Sequence, residues 1–428
     1  MARLFPFRGY RYDSRLVPRL DDVVTQPYDK ITPGMLRRYL RKDPRNIARV
    51  IKNRDYADAA RNLADWIESG VMLRDGAPSF YPYRQVFEIQ GQSHARLGFI
   101  GLISLDEADL AVRGHERVLR GPLEDRLNLI RHTEANEGLI FMLYSDPELS
   151  VDRLLARFTE STEPVIQVRD EYGVRHELWQ LTQSDLQTDM AAALMRHRLY
   201  IADGHHRFQT SVEYRNECLA QGWRTSGPES FDKRMIGLFN MESPGLKVLA
   251  THRGIKNVDE SRIGRLRAGL EPFFQVDSVS SAEDPATLLE GQGHRAGLVL
   301  NGSDQAFLLR LRERSASDPS FMPGIQGPAR SLDVNILHEG ILDPLLGIGA
   351  EELSSQNYVE YFRDPGELTA KVRKGELQAG FLLNATRLGQ VREISDLGQK
   401  MPQKSTDFYP KLLTGLALMK MEMAKGPE

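Results

Sequence analysis

The stretch Leu199-Tyr200-Ile201-Ala202-Asp203-Gly204-His205-His206-Arg207 decides the fold of this chain. Its apolar first half predicts a buried strand, and residues 208–221 predict a helix because their apolar side chains fall on one helical face. A strand therefore leads through a glycine turn directly into a helix. At such a junction, unpaired backbone N–H groups and the positive end of the helix dipole point into the same small volume. The sequence predicts an anion site there, of the kind that binds phosphate.

The side chains of this turn add chemistry to the predicted anion site. Asp203 can hold a metal ion or take a proton. His205 and His206 can transfer protons or stabilise charge, and Arg207 can bind phosphate through its fork of N–H groups. These residue types predict contacts to phosphate and metal but do not identify a substrate.

Composition limits the class of protein. A chain of 428 residues exceeds what one hydrophobic core usually spans, so two lobes are expected. The formal net charge of -3 gives no electrostatic footprint for duplex nucleic acid, which makes nucleic-acid binding unlikely. The single cysteine, Cys218, excludes an intrachain disulfide and fits a reducing compartment. No apolar run approaches the ~20 residues of a membrane span or forms a signal peptide, so we expect a cytoplasmic protein with no membrane partner.

Strand and helix patterns mix along the chain without the strict alternation of a doubly wound sheet. This indicates an α/β fold with a mixed-sheet core, with α+β as the alternative. We predict a catalytic α/β domain over residues 1–255, containing the turn, and a C-terminal α/β lobe over residues 256–428 that closes on the site. Residues 412–423 predict a C-terminal helix.

Acidic candidates for a catalytic base precede the turn in sequence. Asp29 follows Gln26-Pro27-Tyr28 in a rigid turn, which either presents Asp29 to the site or is an ordinary surface turn. Glu116 follows Gly114-His115 in a predicted loop, and Asp125 and Arg126 lie in a charged segment that also fits a solvated helix.

Two later segments offer cations and hydroxyls. Arg253 follows Thr251-His252 at the end of a predicted strand, where an anion site competes with a structural role. The run from Met401 to Lys411 carries two lysines and, between its two prolines, the aliphatic hydroxyls of Ser405 and Thr406. Its Lys404, Ser405 and Thr406 are candidates for phosphate contacts or for a lid, and the alternative is a structural turn.

Common catalytic motifs are missing from the sequence. It contains no Walker-type loop, dinucleotide glycine fingerprint, zinc-binding cysteine cluster or nucleophile elbow. A glycine-turn anion site with nearby carboxylates and imidazoles suits phosphoryl transfer, which depends on positioning and charge neutralisation. A rival interpretation takes His115, Glu116, His205 and His206 as ligands of a hydrolytic metal, although two adjacent histidines cannot easily reach one ion.

Six ordered runs carry a resemblance to a known family: Gln26-Pro27-Tyr28-Asp29, Gly114-His115-Glu116, Glu124-Asp125-Arg126-Leu127, Tyr200 to Arg207, Thr251-His252-Arg253 and Met401-Pro402-Gln403-Lys404-Ser405-Thr406. Through them the whole chain resembles the microbial domain-of-unknown-function family numbered one thousand and fifteen. Asp407 departs from the aromatic residue expected before Phe408, which puts nothing catalytic in doubt. The family name implies no activity.

The turn from Asp203 to Arg207 is also similar to the signature of the ParB/sulfiredoxin superfamily, which includes free serine kinases. The resemblance covers the turn, its strand and its helix, and implies a nucleotide-binding subdomain. It favours the kinase branch, because sulfiredoxins need a cysteine where a histidine stands here. A nucleotide-binding regulator or DNA-associated protein without turnover is one alternative, and a metal-dependent hydrolase is another.

The kinase resemblance implies ATP or ADP with Mg²⁺ as cofactors and a small hydroxyl metabolite, serine first, as the acceptor. Under it, Glu116, Asp29, His205 and His206 are the catalytic candidates. The metal candidates are Asp203 and Asp125. The nucleotide-binding candidates are Asp203, Gly204, His205, His206, Arg207, Arg126, Arg253, Lys404, Ser405 and Thr406.

Overall fold

The computed structural model describes residues 3–106, 112–116, 118, 120–280, 289, 293–303, 305–355 and 357–425. The chain forms two compact units. The first comprises Met1–Gly114, Val118–Lys247 and Pro410–Glu428, and the second comprises His115–Arg117 and Val248–Tyr409. The units divide after Lys247, eight residues before the predicted division after residue 255, and Pro410–Glu428 belongs to the first unit.

Two helices of the first unit begin at short polar caps. Thr32 caps the first helix by accepting a hydrogen bond from the backbone N–H of Met35, and Pro33 occupies its first turn. Asp55 caps the third helix in the same way through the N–H of Asp58. The helices are α1 (Pro33–Lys42), α2 (Ala48–Ile51), α3 (Tyr56–Glu68), α4 (Arg120–Thr133), α5 (Ser150–Glu160), α6 (Ser184–Leu194) and α7 (His205–Ala220), with 3-10 turns at Leu20–Asp22 and Tyr28–Lys30.

The strands of the first unit centre on one large mixed sheet. They are β1 (Leu4–Phe5), β2 (Tyr10–Tyr12), β3 (Met72–Arg74), β4 (Tyr81–Ile89), β5 (Gln92–Ser104), β6 (Val112–Arg113), β7 (Ala135–Asn136), β8 (Ile140–Tyr144), β9 (Ile166–Arg169), β10 (Arg175–Leu178), β11 (Leu199–Asp203), β12 (Arg224–Thr225) and β13 (Lys233–Asn240). The sheet order is β6-β11-β8-β13-β5-β4-β10-β9, and β1 also pairs with β5. Because β11 runs parallel to β6 and antiparallel to β8, the predicted mixed-sheet α/β fold is confirmed.

The core of the first unit fixes the strand that leads to the glycine turn. Leu199 and Ile201 of β11 are buried in the same cluster as Met142 of β8 and Ile236 of β13. Burying such side chains stabilises the fold by about 1.5–3 kcal/mol each. The strand is therefore held along its length, and its last residue, Asp203, lies at the edge of this core.

The second unit is a separate α/β unit with its own sheet, in the order β16 (Phe274–Ser280), β18 (Gln305–Leu311), β17 (Arg295–Leu300), β20 (Ala379–Leu383), β15 (His252–Ile255) and β19 (Val359–Phe362). Its core includes Ile255, Leu298 and Phe381. Its elements, after β14 (Lys247–Leu249) at the boundary, are β15 (His252–Ile255), α8 (Glu260–Leu270), β16 (Phe274–Ser280), β17 (Arg295–Leu300), β18 (Gln305–Leu311), α9 (Glu313–Ser317), α10 (Asp333–Leu337), a π-helix (His338–Leu346), α11 (Ala350–Ser355), β19 (Val359–Phe362), α12 (Pro365–Arg373), β20 (Ala379–Leu383), α13 (Leu388–Asp396) and β21 (Asp407–Tyr409).

The predicted C-terminal helix over residues 412–423 is wrong. The chain there is largely extended and ends in β22 (Met419–Lys420) and β23 (Met423–Ala424). Thr414 exchanges two backbone hydrogen bonds with Thr25, and Gly415 has a φ of 101° that no α-helix contains. Partners distant in sequence thus replace the helical hydrogen bonds. Within the described residues, no helix is both long and apolar enough to cross a membrane.

Candidate functional site

The predicted strand–turn–helix junction is present in the first unit. Strand β11 ends at Asp203, Gly204 forms the turn with φ 98° and ψ 29°, and α7 begins at His205, three residues before the predicted start. A Cβ at position 204 would lie 3.1 Å from the Arg207 guanidinium. Glycine is therefore required by its left-handed backbone and by the side chain that folds over it.

Asp203 binds two cations at the end of β11. One carboxylate oxygen accepts a hydrogen bond from Arg207 Nη2 at 2.6 Å, and the other accepts one from Lys411 Nζ at 2.9 Å. Burial opposes ionisation of this carboxyl, but Lys411, Arg207 and Lys30 outweigh it and hold its pKa far below the usual range. Asp203 is therefore a permanent anion that positions cations.

Arg207 is buried and folds back over its own turn. Besides its bond to Asp203, its Nη1 donates to the carbonyl of Leu139. These contacts fix the plane of the guanidinium without using all of its N–H groups. Lys411 is the other cation at Asp203. It ends the run from Met401 to Lys411, but Lys404 was the lysine of that run predicted to contact phosphate.

The two histidines of the turn have different surroundings. His205, the first residue of α7, is buried, and a Cβ at Gly114 would lie 3.0 Å from its Cδ2. His206 is half-buried on the same first turn. Their backbone N–H groups belong to the helix start, which has no intrahelical acceptors for them.

Two other predicted runs meet the turn around the ring of Tyr28. The Arg126 guanidinium lies 4.2 Å from the ring centroid, and the Arg207 guanidinium lies 6.0 Å from it. Burial, followed by the charge of Asp29, raises the pKa of Tyr28 to about 12, so the ring carries a neutral hydroxyl at neutral pH. Asp29 itself is exposed. The first unit thus brings together predicted residues from positions 28–29, 125–126 and 203–207.

Asp125 is held by its neighbours on both oxygens. Arg126 donates to one oxygen through Nε at 2.9 Å and Nη2 at 2.6 Å, and the hydroxyl of Tyr56 donates to the other at 2.9 Å. Asp203 is likewise engaged on both oxygens. The described residues contain no group of three or more His, Cys, Asp or Glu that could hold a metal ion. The metal-ligand role of Asp203 and Asp125 stays a prediction, and both oxygens of each carboxylate already have partners in the structure.

The remaining predicted residues lie in the second unit, where His115 and Arg253 each contact the run from Met401 to Thr406. Arg253 Nη2 donates to the carbonyl of Lys404 at 3.0 Å. His115 Nε2 and Thr406 Oγ1 are 3.0 Å apart, and the His115 carbonyl accepts a hydrogen bond from the N–H of Met401 at 2.7 Å. These contacts hold the run from Met401 to Thr406, called the late run below, as a fixed turn.

Backbone geometry within this late run agrees with that structural role. Lys404 has a φ of 57°, and the hydroxyl of Ser405 donates to the carbonyl of Pro402 at 2.6 Å. Glu116, the other predicted base, is half-buried in the second unit. Of Asp29 and Glu116, Asp29 shares a unit with the glycine turn.

Comparison with known proteins identifies the family. The sequence model described as Protein of unknown function (DUF1015) matches residues 4–335, most of the chain. The chain belongs to this family. No curated protein matches it.

Several solved structures resemble the chain at low identity. One is a free serine kinase in complex with AMP, at 14% identity and a TM-score of 0.35, with 72% of this chain and 86% of that chain covered. Another is a conserved hypothetical protein from Pyrococcus furiosus, at 14% identity and a TM-score of 0.34, with 72% of this chain and 90% of that chain covered. A third is SbnI with a C-terminal truncation, from Staphylococcus aureus, at 9% identity and a TM-score of 0.35, with 74% of this chain and 85% of that chain covered. At these scores the likeness assigns neither substrate nor reaction to this chain.

Proposed function

We propose that the protein is a cytoplasmic phosphotransferase that uses ATP or ADP to phosphorylate the hydroxyl of a small metabolite, with free serine first among the acceptors. The observation that carries this proposal is the glycine turn at the start of α7, surrounded by Arg207, Lys411 and Lys30. The resemblance of the turn to free serine kinases suggests the acceptor.

Charge neutralisation at the turn supports phosphoryl transfer. Asp203 holds Arg207 and Lys411 in place. The N–H groups at the start of α7 and the positive end of its helix dipole lie at the same turn. Fixed cations and amides of this kind stabilise the charge that spreads over a phosphoryl group during transfer. Mg²⁺ would enter with the nucleotide phosphates, since the predicted carboxylates are already engaged.

The proposed reaction needs one base. The acceptor oxygen attacks the terminal phosphorus of the nucleotide, the bond from phosphorus to the bridging oxygen breaks, and the hydroxyl proton passes to a carboxylate. Asp29 is our choice for this carboxylate because it is exposed and adjoins Tyr28 and Lys30 in the same unit as the turn. Glu116 is the alternative base.

The test is acceptor-dependent turnover. Purified protein is incubated with ATP or ADP, Mg²⁺ and either serine or a pool of amino acids and sugars, and the nucleotide products are quantified. We expect turnover that depends on the acceptor, a loss of about 100-fold or more in Asp29→Asn, and unchanged rates in the exposed control Asp189→Asn. A loss in Glu116→Gln with normal rates in Asp29→Asn would reassign the base.

Binding measurements separate the proposal from a non-catalytic role. Calorimetric titration with nucleotide should give saturable binding that Gly204→Ala weakens. Binding without any acceptor-dependent product would identify a nucleotide-binding regulator, and salt-sensitive retention on DNA would identify a DNA-associated protein. Either result would refute the kinase assignment.

A further inference from the structure

A small, partly open cavity lies beneath the glycine turn in the first unit. Its volume is about 30 Å³, and three arginines line it together with polar and aromatic groups. The lining residues that matter here are Tyr28, Arg126, Glu137, Arg207, Thr210 and Arg234. Arg126, Arg207 and Arg234 are each less than a tenth exposed. Three buried guanidinium groups around so small a space require compensating negative charge.

The arginines of the cavity differ in how they are neutralised. Arg126 is paired with Asp125, and Arg207 is paired with Asp203. Arg234 has a carbonyl, that of Gly138, as acceptor for its Nη2. Burial, followed by repulsion from Arg207, lowers the pKa of Arg234 to about 9. Arg234 is thus a buried cation that donates to a neutral carbonyl, where the other two arginines donate to carboxylates.

Glu137 is the carboxyl group of the lining, and the charges of Arg126 and Arg234 act on it. Its carboxylate accepts a hydrogen bond from Thr133 Oγ1 at 2.6 Å, yet burial raises its pKa above the usual range. Two further polar atoms of the lining are buried without a hydrogen-bond partner among the described residues, namely Arg234 Nε and Thr210 Oγ1. Donors without acceptors at a cavity wall mark a place where a ligand oxygen completes the bonding.

We propose that this cavity is a binding site for a carboxylate group. Its volume of about 30 Å³ accommodates the two oxygens of a carboxylate group. A guanidinium fork and a threonine hydroxyl are suitable donors for a carboxylate. The phosphates of the nucleotide then belong at the amides of the turn.

The assignment extends to the acceptor substrate, a step that rests on the proposed function. A carboxylate held beneath the turn would place the rest of a hydroxy acid beside the phosphate-binding amides. The acceptor class is therefore hydroxy acids, including hydroxy amino acids, whereas sugars and simple alcohols lack the group that the cavity binds.

The binding test uses formate and acetate as probes, without nucleotide. Each is titrated calorimetrically into the full-length protein at low ionic strength, with phosphate and chloride in parallel. We expect saturable binding of formate or acetate that exceeds the binding of phosphate and chloride. In Arg234→Gln and in the isosteric Thr210→Val the carboxylate affinity should fall by about tenfold or more, and the exposed control Arg157→Gln should retain it.

Each result decides the proposal. Absence of saturable carboxylate binding in the wild-type protein, or equal affinity in a folded Thr210→Val variant, would overturn it. Equal or tighter binding of phosphate would overturn the carboxylate assignment in favour of a tetrahedral anion. Circular dichroism of each variant verifies folding, and Thr210→Val keeps the test decisive if Arg234→Gln does not fold.

Activity measurements separate this site from the proposed reaction. Turnover with L-serine is compared with turnover of its carboxamide, and the carboxylate substrate should be favoured by about 100-fold. Equal turnover of the two would refute the substrate class and leave the kinase intact. Saturable formate binding with no nucleotide turnover for any acceptor would refute the kinase and leave the carboxylate site intact.

Discussion

Replacing Asp203 by asparagine tests the electrostatic centre of the first unit. The substitution keeps the shape of the side chain but removes the charge that holds Arg207 and Lys411. The Arg207 and Lys411 side chains are only 9% and 6% exposed, so water cannot take over from the lost carboxylate. The new side-chain amide would also present its NH₂ group to one of the two cations.

The expected loss of stability is large. Removing one partner of a buried ion pair leaves an uncompensated buried charge and typically costs about 3–5 kcal/mol. Asp203 compensates two cations, so we expect Asp203→Asn to lower the free energy of unfolding by that amount at neutral pH. The exposed Asp189→Asn should change it by less than about 0.5 kcal/mol.

Urea unfolding followed by tryptophan fluorescence measures this effect. Trp66, Trp179 and Trp223 are the three tryptophans of the chain, and all belong to the first unit. Because the folded pKa of Asp203 is depressed, its stabilisation is fully present above the unfolded pKa of about 3.9 and is lost as the pH falls below it. The difference between wild type and variant should therefore be constant from about pH 7 to pH 5 and shrink towards pH 3.

Two outcomes would refute this reasoning. An unfolding free energy within about 1 kcal/mol of wild type at pH 7 would show that the carboxylate does not compensate the two cations. A difference that stays constant down to pH 3 would show that the pKa of Asp203 is not depressed by them.

Three further predictions concern other parts of the molecule. Gly204→Ala should lower stability by about 1–2 kcal/mol in urea unfolding because of its positive φ, whereas Gly121→Ala, with open space around its Cβ, should not. Tyr28→Leu should lower the free energy of unfolding by about 1 kcal/mol, because it removes the aromatic ring that lies 4.2 Å from the Arg126 guanidinium. Tyr28→Phe keeps the ring and should retain most of that stability. Burial and then the charge of Arg253 lower the pKa of His252 to about 4, so its NMR signal should not titrate between about pH 8 and pH 5. The folded pKa of His252 is below the unfolded value of about 6.5, so His252 should lower the free energy of unfolding as the pH falls from about 6.5 to about 4. His252→Gln should remove this pH dependence.

Local patterns predicted the strand and the helix on either side of the glycine turn. The apolar run at 199–202 predicted β11, and the helical spacing after it predicted α7. Both signals depend on neighbouring residues alone, and so they are readable without the rest of the chain.

The C-terminal residues show where such patterns fail. Residues 412–423 are apolar enough for a helix, but Thr414 and Leu418 pair with the backbones of Thr25 and Tyr10 instead. Hydrogen bonds to partners that far away in sequence leave no periodic signal. The same limit applies to Lys411, whose partner Asp203 is 208 positions away.

For the candidate site, the sequence by itself determined the chemistry of the glycine turn: a glycine at a helix start, with a carboxylate before it and an arginine after it. Only the tertiary structure decided that Asp203 binds Lys411 and Arg207, and that Arg126, Arg207 and Arg234 surround one cavity. The reason is physical. Backbone conformation follows from short-range sterics and periodicity, whereas the protonation and partners of a buried charge depend on whichever distant groups the packed core brings within a few ångströms.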